Sequence, residues 1–196
     1  DNQQGRIQAN ALAIDTATRS INNQQGILTA SREMMLHSGG LNNDAGLVQA
    51  GSALNIDLHG GALSNRDSGK NGGLLSFGTF TLSGGTLDNR SGYMASAGDS
   101  LINGFALDNT HGTLYSESHL SLTTDALVNR QGLIQAGNNL TLETLAQRLN
   151  NNQGRISAGQ NLALQSGALD NQSGHIVAGD AMTLTTQASP LNNQQG

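Results

Sequence analysis

The amino-acid sequence predicts an all-β protein, a parallel β-solenoid of about nine coils with a repeat of about 21 residues. Three observations predict it. One residue type recurs at a nearly fixed interval, apolar and polar residues alternate within each interval, and the same aliphatic positions are refilled copy after copy.

The recurring residue is asparagine, at Asn2, Asn23, Asn43, Asn65, Asn89, Asn109, Asn129, Asn151, Asn171 and Asn193, spaced by 20 to 24 residues. A single globular core does not require one side chain at a set interval along a whole chain. A solenoid does, because each coil buries its faces only against its neighbours. The repeat reads Leu-x-Asn-x-x-Gly-x-aliphatic-x-small and, a few residues on, Leu-x-Leu. The copy LVNRQGLIQAGNNLTLETLAQR, starting at Leu127, is the clearest.

Each repeat divides into three short strands. The first carries Gly-x-aliphatic-x-small, the second Leu-x-Leu, and the third is brief and ends at Leu-x-Asn. The period of two in GLIQAG and NLTLE is the strand signature. Gly, Asn and β-branched residues interrupt every candidate helix. Turns fall at Asn-x-x-Gly, at the Ala-Gly-Asn/Asp segment and at the variable stretch before the next Leu.

The columns identify the inward face. Two residues after the repeat Gly stand Ile7, Leu28, Val48, Leu75, Met94, Leu114, Ile134, Ile156 and Ile176. Two further on the position is small, Ala in most copies, Ser116 in one and Phe77 in another. The next inward pair runs from Leu12/Ile14 to Met182/Leu184, and the column opening each repeat from Ile21 to Leu191. One coil cannot bury these residues alone; several stacked coils can. The asparagines have a structural reading. Asn tolerates the left-handed backbone region and Gly enters it freely, so a corner turned at every coil favours both. Amides stacked about 4.8 Å apart can also hydrogen-bond in a ladder, for which Asn23, Asn43, Asn65, Asn89, Asn109, Asn129, Asn151 and Asn171 are the inner candidates.

Composition narrows the function. Charged residues make up 12% of the chain and the net charge is −5, which disfavours nucleic acid and an anionic membrane surface. Cysteine is absent, excluding disulfides and thiolate metal sites. No apolar run reaches the ~18 residues of a membrane span, so no membrane insertion is expected of this segment. Residues 1–196 read as one continuous segment. The opening DNQQG and closing LNNQQG are partial repeats, so a fragment of a longer array, with unpaired strand edges prone to end-to-end association, is expected.

The pattern Leu-x-Asn-x-x-Gly-x-Ile-x-Ala-Gly-x-x-Leu-x-Leu resembles the haemagglutinin repeats of filamentous haemagglutinin and, equally, the shaft repeats of contact-dependent growth inhibition exoproteins. The resemblance covers the whole chain. It implies a right-handed β-helix and a very large exoprotein on the outside of a Gram-negative cell, exported by two-partner secretion through an outer-membrane transporter. It implies a structural shaft that projects a distal binding or toxin element. The alternative is that the segment is itself adhesive, binding a cell-surface receptor or glycan.

Departures from the repeat mark candidate contact sites. Between Asn65 and Gly73 the usual three-residue spacing becomes eight, and the insertion holds Lys70, the only Lys of the chain. A protruding loop with Arg66, Asp67 and Lys70 is one reading; a tolerated surface insertion is the other. All five aromatics lie between Phe77 and Tyr115. Phe77 is expected in the inward small-residue column, and Tyr93 and Tyr115 are expected outside, where they form either a contact surface or ordinary exposed tyrosines. One extra residue near Ser96 and Asn103 at a Leu position predict a bulge there.

Ionisable residues suggest little chemistry. Asp88 and Asp108 share a column and approach within about 5 Å in a stack, with Asp170 further along. Stacked carboxylates suit Ca²⁺, but solvated acids are the commoner case. His111, Glu117 and His119 are near in sequence yet scattered by strand and turn. The eight Arg are spread almost one per coil, unlike the concentrated charge of a β-helical polysaccharide lyase. No Ser-His-Asp set, Walker loop or GxGxxG fingerprint occurs. The sequence therefore assigns no enzyme activity, no catalytic or metal residue and no cofactor.

Overall fold

A computed structural model describes all 196 residues. It is a β-solenoid with no helix: 27 short strands form three nine-stranded sheets, and every pairing is parallel. The first sheet runs from Arg6–Ala9 to His175–Ala178, the second from Leu12–Asp15 to Met182–Thr185, and the third from Ile21–Asn22 to Leu191–Asn192. Each strand pairs with its equivalents one coil before and one coil after, so recurrence along the chain becomes stacking in space.

A core of 33 buried hydrophobic residues lies along the axis. Leu28, Val48, Leu74, Met94, Leu114, Ile134 and Ile156 stack from the first sheet, each almost wholly buried. The second sheet supplies pairs such as Leu54/Ile56 and Leu140/Leu142, and the third the column that includes Leu63, Leu87 and Leu107. Burial of such a side chain is worth roughly 1.5–3 kcal/mol relative to exposure.

The structure corrects the expected register in the coil with the insertion. Gly73 pairs with Leu47, Leu74 with Val48 and Ser76 with Ala50. Gly72 is therefore the repeat glycine, and the insertion is the four residues Ser68–Asn71. Leu74 is inward rather than Leu75, and Ser76 occupies the small column while Phe77 is 65% exposed. Adjacent Gly-Gly and Leu-Leu pairs permit two frames in the sequence, and a slip of one residue reverses every side chain. The inward position holds a serine, whose hydroxyl oxygen lies 2.7 Å from both the Ser52 and the Thr79 carbonyl oxygens and shares its one proton between them.

The expected bulge near Ser96 is absent. Ser96 pairs in line with Ser76 and Ser116, and Ile102 follows Leu82 and precedes Leu122. Asn103 lies in the outward row with Ser83 and Thr123.

The reading of the corner also changes. Neither the repeat Asn nor the repeat Gly takes the left-handed conformation. The second of the two residues between them does: Gln25, Ala45, His111 and Gln131 have φ of 55°, 52°, 57° and 53°. The glycine is needed for space. A Cβ on Gly46 would stand 2.4 Å from the Asn23 carbonyl oxygen and 2.6 Å from Asn43 Oδ1, closer than atoms tolerate.

Candidate functional site

The ten asparagines lie along one flank. Each Nδ2 donates to the Oδ1 of the asparagine one coil further on, at 2.6–2.8 Å, from Asn2 to Asn193. The inner members Asn23, Asn43, Asn65, Asn89, Asn109, Asn129, Asn151 and Asn171 are buried. In most coils the remaining Nδ2 proton reaches a backbone carbonyl, as Asn109 reaches Leu133 at 3.1 Å. The amides thereby meet the requirement that buried polar groups be paired.

Beside this flank runs a stripe of alternating charges. Arg66 donates to both carboxylate oxygens of Asp44 through its backbone and side chain, with Nη2 at 2.6 Å from Oδ2, and its Nε lies 3.9 Å from Asp88. Arg90 grips Asp88 at 2.6 and 2.9 Å and lies 4.0 Å from Asp108. Partial burial acts to raise the Asp44 carboxyl, but the hydrogen bonds from Arg66 and Ser64 prevail and hold it below the usual range. Asp88 behaves likewise, burial opposing and Arg90 prevailing. Asp88 and Asp108 do adjoin in register, with Arg90 making contact with both.

The insertion and the tyrosines meet on the outer face of the first sheet. Leu75 pairs with Ala95 and Ala95 with Tyr115; Tyr93 sits two residues earlier on the strand carrying Ala95. Ala95 and Ala97 form a low floor between bulkier neighbours, opening a groove of about 240 Å³. Leu75, Phe77, Tyr93 and Tyr115 line it, and it also includes Lys70 from the inserted loop and Glu117. Burial, followed by the nearby Tyr115 and Glu117, raises the Tyr93 phenol above its ordinary value, so it remains a neutral hydrogen-bonding group.

Of the five residues named as candidate contacts, Lys70, Tyr93 and Tyr115 are thus brought together. Arg66 is engaged by Asp44, and Asp67 occupies the left-handed corner, its amide donating to the Arg90 carbonyl at 3.2 Å. Neither lines the groove. Phe77, assigned to the core in the sequence, is a groove wall; Phe80 is the buried phenylalanine and Phe105 is exposed elsewhere. His111 takes a corner, Glu117 the groove, and His119 hydrogen-bonds Asp99 and Asn139.

The sequence reading missed one grouping altogether. His37, Asp57 and His59 converge at the outer edge of the second sheet, with one donor atom of each within 4.8 Å of the others. His37 and Asp57 occupy the same column, the position after Leu-x-Leu, which is the signal that was available.

Comparison with known proteins agrees with this architecture. No curated protein and no solved structure matches the chain. The haemagglutinin-repeat model matches residues 4–67, 55–144 and 143–193, nearly end to end, and the chain belongs to the haemagglutinin-repeat family.

Proposed function

We propose that this segment is part of the elongated shaft of a large surface exoprotein of a Gram-negative bacterium, exported by two-partner secretion through an outer-membrane transporter. Its task is to hold a distal binding or toxin element away from the cell. The observation that supports this most directly is the asparagine ladder, continuous through every coil. A rod made of equivalent coils converts residues into reach: about nine coils at ~4.8 Å give roughly 45 Å. The family is structural and typically non-enzymatic, in keeping with this role.

The test is a comparison of two deletions in the secreted parent protein. Removing Asn129–Asn150 joins Val128 to Asn151 and excises one whole coil of 22 residues. Removing only Asn129–Asn139 breaks the register. Shaft function requires the whole-coil deletion to keep the distal activity and the partial deletion to lose it. Loss of activity in both, with the whole-coil variant folded and displayed, would overturn the proposal.

A second reading rests on the groove. Aromatic walls flanking an alanine floor, with Lys70 and Glu117 among the lining residues, suit the apolar face and hydroxyl edge of a sugar ring or an exposed peptide. On this reading the segment is adhesive in its own right, toward a cell-surface glycan or receptor.

A further inference from the structure

We propose that His37, Asp57 and His59 form a binding site for a divalent transition metal of the zinc type, which clips two adjacent coils together. His37 ends the strand Met34–His37 and Asp57 ends Leu54–Asp57, and the two are direct partners across the second sheet. His59 follows in the turn, where its backbone amide donates to Asp57 Oδ1 at 2.9 Å. That turn folds the imidazole back over the coil, leaving the two histidine rings edge to face with centroids 5.9 Å apart.

The hydrogen bonding selects the nitrogen that would bind. His59 Nδ1 lies 3.4 Å from the backbone carbonyl of Ser38, and a carbonyl only accepts, so Nδ1 carries the proton. In the neutral ring this leaves the Nε2 lone pair bare, and Nε2 faces Asp57 Oδ2 at 3.7 Å. Two electron-rich atoms directed at one solvent-accessible gap are placed to share a cation. An imidazole whose other nitrogen is anchored to a backbone carbonyl is the usual support of a metal-binding histidine.

The donor set then narrows the ion. Two imidazoles and one carboxylate suit Zn²⁺ and its neighbours Ni²⁺ and Cu²⁺ far better than Ca²⁺ or Mg²⁺, which take oxygen ligands. Three protein ligands leave a fourth position for water or for a ligand group from outside. Ligand bonds of about 2.0–2.2 Å require the donors to draw slightly closer than their present spread. His59 is exposed and His37 and Asp57 are half-buried, so none of the three ligands is locked in the packed core. Since His37 belongs to one coil and both other ligands to the next, the ion would resist separation of those coils.

The experiment is a titration of the full chain, free of any purification tag, with Zn²⁺ by calorimetry, together with thermal melting with and without EDTA. The expected result is one Zn²⁺ per chain, a raised melting temperature, and abolition of both by His59→Ala and by His37→Ala. Each variant should melt at the same temperature in Zn²⁺ as in EDTA, whatever its metal-free stability. Nitrogen chemical shifts should identify Nε2 of His59 as the coordinated atom. Absence of zinc binding, or binding that survives in the His37→Ala/His59→Ala double variant, would overturn the proposal.

Discussion

Gly132 passes beneath the side chain of Asn129 so closely that a Cβ on the glycine would stand 2.6 Å from the asparagine Oδ1. The same atom would stand 2.2 Å from the backbone carbonyl oxygen and 3.0 Å from Nδ2 of Asn109, one coil away. The glycine and the amide ladder are therefore one device. Gly132→Ala should destabilise the chain by ~1–3 kcal/mol through overpacking. Asn109→Leu should cost more, because it strands the Asn89 donor and the Asn129 acceptor at a buried site, each loss being worth ~1–3 kcal/mol. Urea denaturation measures both. An Asn109→Leu variant as stable as the original would show that the ladder contributes nothing.

The left-handed corner residue offers the opposite effect. Ala45 sits at φ 52°, where a Cβ is strained, and glycine is not. Ala45→Gly should raise stability by up to ~1 kcal/mol, the relief exceeding the entropy lost from the unfolded chain. A lower melting temperature for this variant would contradict the assignment of strain.

The frame of the inserted coil is tested by two neighbouring leucines. Leu74 is wholly buried, so Leu74→Ala should cost ~2–5 kcal/mol. Leu75 faces outward and Leu75→Ala should change stability by no more than ~0.5 kcal/mol. Equal costs in thermal or urea unfolding would rule this frame out.

Acid should weaken the charged stripe. Asp44 and Asp88 have folded-state carboxyls below their ordinary value, so their contribution is complete above the ordinary carboxylate pKa of ~4. It is lost as pH falls through the lower folded value. Melting temperature measured from pH 7 downward should fall below about pH 4, and more shallowly in an Arg66→Met/Arg90→Met variant. An identical acid profile in that variant would remove the arginines from the account.

The groove separates adhesive from purely structural roles. Changing both Tyr93 and Tyr115 to Ser should abolish binding to cells or glycan arrays while leaving the melting temperature within a few degrees. Deleting Ser68–Asn71 restores the ordinary corner as Asn65-Arg66-Asp67-Gly72 and removes Lys70, and should weaken binding with little change in stability. Binding that persists in both variants would leave the groove without a role.

How much of this was legible in the sequence depended on repetition. Asn109 and Leu127 recur in every coil, so their stacking could be read from spacing alone. Leu75 and Phe77 were misplaced because Gly72-Gly73 and Leu74-Leu75 each permit two frames, and only the three-dimensional pairing with Leu47 and Val48 chooses. The general preferences of Asn and Gly point to those two residues for the corner, whereas the left-handed residue is a Gln, Ala, Ser, His or Asp held there by its neighbours. The groove depends on the small size of Ala95 and Ala97 rather than on any motif. His37, Asp57 and His59 come together by register plus a local turn, and the turn carries no advertisement in composition.

The amide chain from Asn2 to Asn193 always gives its proton in the same direction. It therefore has a sense, like a one-way zip: every amide turns its oxygen toward one neighbour and its amino group toward the other. A single amide turned the other way would set oxygen against oxygen on one side and amine against amine on the other. Direction along the rod is thus written into a single repeated side chain.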